Sequence, residues 1–223
     1  MAQLRELKKQ QTRQAIIHAA TALFMERGFE ETTIADVAEA AGVAKMTVTN
    51  YFPRKEDLFF DMHDEVVLGP ARAFAHRPDG ASALDAVRAD YLAAVGRRDR
   101  LLGWTDPAYT RLIDRSPVLR ARLREIFDHQ EQALSVVLAE AVGAEPDAFE
   151  PRHAAAQLST VLRLLWTEAQ RAVRRGATRE EMFGLLDRTA RDAFARLERS
   201  LAGYGIREPA YESAPEPFEE PDQ

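Results

Sequence analysis

The chain has 223 residues, 46% hydrophobic and 30% charged, with a formal net charge of −6 and no cysteine. Disulfides, thiolate metal sites and a cysteine nucleophile are therefore excluded, and the overall acidity argues against general affinity for nucleic acid. No apolar run approaches the roughly 20 residues that cross a bilayer, and the N-terminus lacks the apolar core of a signal peptide, so a reducing cytoplasm is expected and no membrane partner.

Residues 1–13 are polar and basic, with Arg5, Lys8, Lys9 and Arg13 against Glu6 alone. They fit either a solvated helix start or an arm that reaches phosphates or a minor groove. Ile16, Ala19, Ala20, Leu23 and Phe24 form one stripe of an amphipathic helix over 12–27, which Gly28 and Phe29 close in the manner of a Schellman stop. Thr33, with Asp36 three residues on, starts a second helix. Its residues Ile34, Val37, Ala38 and Ala41 share a face, and Gly42 supplies the turn that follows. A third helix over 44–50 turns Val48 inward behind Val43 and leaves Lys45, Met46, Thr47, Thr49 and Asn50 largely outward. Small residues at Ala38 and Gly42 let these two helices cross closely. The layout is a helix-turn-helix, whose second helix fits a DNA major groove. Pro53 ends it.

A helix is expected from Lys55 to about Ala75, carrying Leu58, Phe59, Met62 and Val66. After the turn Arg77–Gly80, Ser82 caps a helix with Leu84, Val87, Tyr91, Leu92 and Val95. Pro107 interrupts a shorter helical region from about Leu101 to Asp114. Ser116-Pro117 opens a long helix that runs to about Val142 and stops at Gly143. Pro151 opens another that runs to Gly176, and Thr178 with Glu181 is a capping box for the last, ending near Leu201. No alternating strand pattern occurs, so the expected fold is all-α. Beyond Gly203, four prolines and the acids Glu208, Glu212, Glu216, Glu219, Glu220 and Asp222 favour a flexible tail.

The segment from Phe24 to Leu58 resembles the DNA-binding domain of the TetR family of bacterial transcriptional regulators. Gly28-Phe29, Thr32-Thr33-Ile34, Val37-Ala38, Gly42-Val43, Tyr51-Phe52-Pro53 and Lys55-Glu56-Asp57-Leu58 carry the match. The resemblance implies a three-helix DNA-binding domain over 1–53, a larger helical effector-binding and dimerisation domain over 54–203, and a tail over 204–223. It assigns Tyr51 and Lys55 to backbone phosphates, with Thr33 offering its hydroxyl or helix-start amide. Thr47, Thr49 and Asn50 are the candidates for base edges, and Lys45 for guanine or phosphate. Many family members carry a small residue or proline where Met46 stands, and aromatics or histidine where Thr49 and Asn50 stand. The operator should differ accordingly.

A family dimer implies a pseudo-palindromic operator of double-stranded DNA. The last two long helices carry surplus apolar surface and are expected to form a four-helix bundle with a second copy, through Leu158, Val161, Leu162, Leu165, Leu185, Leu186, Thr189 and Ala193. The resemblance also implies that the middle helices hold a small-molecule effector. Tyr91, Trp104, Tyr109, Phe127, Gln130, Arg163 and Trp166 mix aromatic bulk with hydrogen-bonding groups, as ligand cavities do.

Two other classes compete with this reading. A His/Asp metal-dependent hydrolase would use His63-Asp64 with Glu65, but His18, His63, His76, His129 and His153 are scattered. No phosphate-cradling Gly loop and no G-x-S-x-G elbow is present, so catalysis, metal and cofactor are not expected. A helical protein-interaction adaptor would lack the basic arm and the cluster of Lys45, Tyr51 and Lys55. The reading favoured is a ligand-responsive DNA-binding repressor.

Overall fold

The computed structural model describes residues 2–206, with side chains from residue 4 onward. Within that range the chain is all-α, and no strand occurs among the described residues. Four helices make the N-terminal unit: α1 (Ala2–Arg27), α2 (Ile34–Ala40), α3 (Lys45–Tyr51) and α4 (Lys55–Phe59). The basic start is a continuation of α1, as its Arg, Lys, Gln and Glu residues favour. Ile16, Ala20 and Phe24 of α1 pack on Phe29, Val37, Val48 and Phe52. The rings of Phe24, Phe29 and Phe59 lie 5.2–6.1 Å apart. This core continues past Pro53 to Leu58 and Phe59, and takes in Ile113 and Leu119 from the body.

The body comprises α5 (His63–Ala75), α6 (Ala83–Gly96), a 3-10 turn (Arg100–Leu102), α7 (Pro107–Arg115), α8 (Pro117–Val142), α9 (Phe149–Arg174) and α10 (Arg179–Leu201). Helix α8 packs between α5 and α9, while α10 packs on both α6 and α9. Ser82, Ser116 and Thr178 each accept from an amide in the first turn of α6, α8 and α10. Pro107 occupies the first position of α7 rather than interrupting a helix.

The helix expected over 55–75 is broken at Phe60–Met62. The break is held from outside. The Tyr109 hydroxyl donates to the Phe59 carbonyl, and the Arg13 guanidinium donates to the Asp61 carbonyl at 2.5 Å. Pro70, inside α5, removes the amide hydrogen that would bond the Val66 carbonyl four residues back. Gln130 Nε2, from α8, donates to that carbonyl at 2.6 Å instead.

The first residues of the expected tail are packed. Ala83 N–H donates to the Tyr204 carbonyl at 2.9 Å, and Arg77 Nε to the Gly205 carbonyl at 3.0 Å. The rest of that tail, 207–223, lies outside the described residues.

Candidate DNA-binding surface and effector cavity

Helices α2 and α3 are joined by Gly42, whose φ of +66° is a left-handed conformation that side chains rarely adopt. Val37 and Val48 are fully buried between the two helices and α1, which leaves the opposite face of α3 outward. Lys45 and Asn50 are exposed there, and Met46 is 69% exposed. Thr47, Thr49 and Tyr51 are half-buried. The Thr49 hydroxyl donates to the Met46 carbonyl at 3.1 Å, so its oxygen and methyl group are what it offers to a base. The Tyr51 ring packs beside Phe52 at 6.5 Å.

Two residues assigned to phosphates are already engaged. The Thr33 amide and hydroxyl both donate to Asp36 Oδ2, at 2.8 and 2.7 Å, and the hydroxyl oxygen accepts from the Asp36 amide. Those hydrogen bonds hold the Asp36 carboxyl below the usual carboxylate range. Thr33 thus has no donor to give a phosphate unless its cap opens. The Lys55 ammonium donates to the carbonyls of Phe29, Glu30 and Thr32 at 2.9, 3.3 and 3.0 Å, and lies 4.3 Å from the centre of the Phe29 ring. An ammonium has three hydrogens, and here all three fasten the α1–α2 turn to α4. Arg13, from the basic start, is likewise drawn inward over the Phe52 ring.

The N-terminal unit is tied to the body by polar contacts that sequence reasoning missed. Arg122 of α8 approaches Asp57 of α4 at 2.8 Å, with both side chains 7% exposed. Glu125, one turn on, accepts from Arg122 at 3.1 Å and from Arg54 at 2.9 Å. These two guanidinium contacts hold the Glu125 carboxyl below its ordinary range. The Ser116 hydroxyl donates to Glu30 Oε1 at 2.5 Å, and the Tyr109 ring stacks on Phe59 at 3.9 Å. No local pattern announces pairs separated by 50 to 86 positions.

Two cavities adjoin this junction. The outer one, about 910 Å³, lies between α1 and the body and is lined by Arg13, Ile17, Asp61, Trp104, Tyr109 and Gln170 among others. Burial pushes the Asp61 carboxyl up, against the opposing pull of Arg100 and Arg13. The inner one, about 500 Å³, lies among α5, α6, α8 and α9, and Tyr91 and Gln130 line it. Glu65, Val66, Leu101, Phe127 and Trp166 line both, and the rings of Phe127 and Trp166, T-shaped at 5.7 Å, are the aromatic part of this shared wall. Of the seven effector candidates only Arg163 lines neither; it is exposed on α9. His63, Asp64 and Glu65 stand at the start of α5, where His63 Nε2 lies 3.2 Å from Asp64 Oδ1. No group of three or more His, Asp or Glu side chains is gathered around a metal-sized space among the described residues.

Residues 16–62 match the family described as bacterial regulatory proteins, tetR family. Over 171 residues the chain is 31% identical to the HTH-type transcriptional regulator TcmR of Streptomyces glaucescens, spanning 74% of this chain and 76% of that one. The chain belongs to the TetR family. It is thus a DNA-binding transcriptional regulator, with α2 and α3 as its helix-turn-helix. Similarity to the regulator RutR of Escherichia coli K12 is confined to 65 residues, at 37% identity, or 28% of this chain and 31% of that one. Among solved structures, NalD of Pseudomonas aeruginosa superposes with a TM-score of 0.54 at 23% identity, covering 86% of this chain and 98% of NalD. A SmeT–triclosan complex gives 0.52 at 22% identity, covering 94% and 99%. These two likenesses support the fold.

On this TetR-family scaffold, the residues expected at the dimer face divide. Leu158, Leu165 and Leu186 are fully buried within the protomer core and offer no surface to a second copy. Val161, Leu162, Leu185, Thr189 and Ala193 are half-buried, with Leu162 on the inner cavity. Three of the eight expected positions thus face the protomer core, and five retain some surface. Leu164, one residue before Leu165 and so about 100° around the helix, is 55% exposed. Ser200 donates to Gln157 at 2.7 Å across α9 and α10, whose antiparallel course sets Leu164 roughly level with Ala193.

Proposed function

We propose that the chain is a homodimeric repressor in the cytoplasm, without catalytic activity, that binds a pseudo-palindromic operator and leaves it when a small molecule occupies the body. The observation that carries this reading is the shared wall of Phe127 and Trp166. It lies between the inner cavity of the body and the one lined by α1, the helix that supports the helix-turn-helix. An occupant of the inner cavity that displaces this wall alters the seat of α1, and with it the separation of the two recognition helices in a dimer. Such a molecule lowers operator affinity only to the extent that it binds the DNA-free form more tightly.

On the DNA side, Lys45, Met46, Thr47, Thr49 and Asn50 meet the major groove, and Tyr51 flanks it. The outward faces of α9 and α10, through Val161, Leu164, Leu185, Thr189 and Ala193, pair with those of the second copy. TcmR, an HTH-type transcriptional regulator by name, and NalD, described as a secondary repressor of a multidrug efflux pump, support the regulatory reading. SmeT, solved with triclosan, supports a ligand-binding body. The test is footprinting of the purified protein on the DNA upstream of its own gene, across a salt series. A protected pseudo-palindrome with a steep salt slope is expected, and protection should weaken in Asn50→Ala. Protection without two-fold symmetry, or insensitive to Asn50→Ala, would overturn this assignment.

A further inference from the structure

The inner cavity contains two buried oxygens that the protein leaves without a partner. Gln130 is 5% exposed and Tyr91 6%, and neither Gln130 Oε1 nor the Tyr91 hydroxyl has a hydrogen-bond partner among the described residues. The orientation of the Gln130 amide is fixed chemically. The Val66 carbonyl, left without its helical donor by Pro70, accepts only from an N–H, so the NH₂ faces Val66 and Oε1 is the free end. Buried Gln170 shows what the fold does elsewhere: its NH₂ donates to the Gly103 carbonyl and its oxygen accepts from the Thr110 hydroxyl. The other unpartnered buried oxygens belong to residues that line neither cavity. Native folds rarely leave such groups unpaired, and two on one cavity ask for an occupant.

The charges around the cavity narrow that occupant. Glu65, Asp90 and Asp99 line the cavity against Arg72 and Arg97; all are exposed except Asp99, which is half-buried, accepts from the Leu101 amide at 3.0 Å and lies 3.8 Å from Arg97. No fully buried lining residue is ionisable in the neutral range, and the half-buried Asp99 is already engaged by the Leu101 amide and Arg97, so no free charge inside compensates a charged ligand. Trp166, Phe127 and Tyr91 provide aromatic surface, and about 500 Å³ suits a ligand of a few rings.

We propose that the inner cavity takes a neutral, ring-containing molecule bearing a hydroxyl group, held by donation to Gln130 Oε1 and by pairing with the Tyr91 hydroxyl. This rests on the effector reading above, and names the chemistry of the effector. Calorimetric titration of the full-length protein with naphthalene, 2-naphthol and 2-naphthoate at neutral pH tests it. 2-Naphthol should bind about tenfold more tightly than naphthalene, because only it satisfies the buried oxygens, and more tightly than the anion. Tyr91→Phe and Gln130→Met should each reduce the preference for 2-naphthol over naphthalene to about threefold or less. Tyr91→Phe should melt at the native temperature or above, since it removes an unpaired buried hydroxyl, which keeps the test valid if Gln130→Met folds poorly. Equal binding of naphthalene and 2-naphthol overturns the proposal. So does a preference that survives both substitutions, tightest binding by 2-naphthoate, or no binding of any probe. Any of these with operator binding intact strikes the ligand class alone, whereas loss of the footprint strikes the regulator reading.

Discussion

Replacing Arg122 by methionine keeps an unbranched apolar stem but removes the guanidinium that faces Asp57 across the junction of body and DNA-binding unit. The Asp57 carboxylate then stays 7% exposed, with the Arg54 amide at 3.2 Å and Arg54 Nε at 3.9 Å as its remaining company. Removing one member of a buried ion pair costs about 3–5 kcal/mol, largely through the stranded charge. Because Asp57 keeps its amide and a distant guanidinium, the expected loss is about 2–4 kcal/mol. Asp57→Asn combined with Arg122→Met strands no charge and should recover about half of it, a coupling that defines a double-mutant cycle. Urea unfolding followed by circular dichroism, at one protein concentration because the proposed dimer would make stability concentration-dependent, measures both. A loss below about 1 kcal/mol, or a double variant no better than the single one, would refute the claim that this pair holds α4 to α8.

Three further outcomes follow from the same contacts. Gln130→Leu should destabilise the protein by about 1–3 kcal/mol by orphaning the Val66 carbonyl, and Pro70→Ala in that background should restore much of the loss by returning an amide hydrogen to it; additive effects in urea unfolding would count against the link. Lys55→Met should loosen the α1–α2 turn and weaken operator binding while leaving the salt slope unchanged; a slope smaller by about one unit would return Lys55 to the phosphate contacts. Leu164→Glu should shift the dimer toward monomer in sedimentation at micromolar concentration, whereas Leu158→Ala should cost about 2–5 kcal/mol of folding stability; a fully dimeric Leu164→Glu would remove the outward face of α9 from the interface.

The legible parts of this protein are those whose causes lie within one helical turn. Thr33 with Asp36 and Thr178 with Glu181 form their capping boxes, and Ser82 and Ser116 cap their helices, because each bond spans only three residues. The buried faces of α2 and α3 followed from spacing for the same reason, since Val37, Ala38 and Val48 lie where a 3.6-residue period puts them. What the sequence concealed depends on distant partners. The break between α4 and α5 is held by Tyr109 and Arg13, about 50 residues away in either direction. The ammonium of Lys55 is captured by carbonyls more than 20 residues upstream. On α9 the period was legible but its direction was not, because both faces carry leucine and only the packing of α8 and α10 decides which is inside. Six of the seven effector candidates line a cavity, whereas Arg163, which a helical period places on α9 without saying which way it faces, is exposed.

The DNA that the protein selects tests the role of α3 most directly. Purified protein incubated with sheared DNA from its own source organism, at two salt concentrations, and sequencing of what it retains, is the decisive measurement. The prediction is one or a few enriched pseudo-palindromes whose half-site centres lie about one helical turn, or a multiple of it, apart, with enrichment lost in Asn50→Ala. Retention of DNA without any enriched sequence, or no retention at low salt, would contradict the claim that α3 reads an operator.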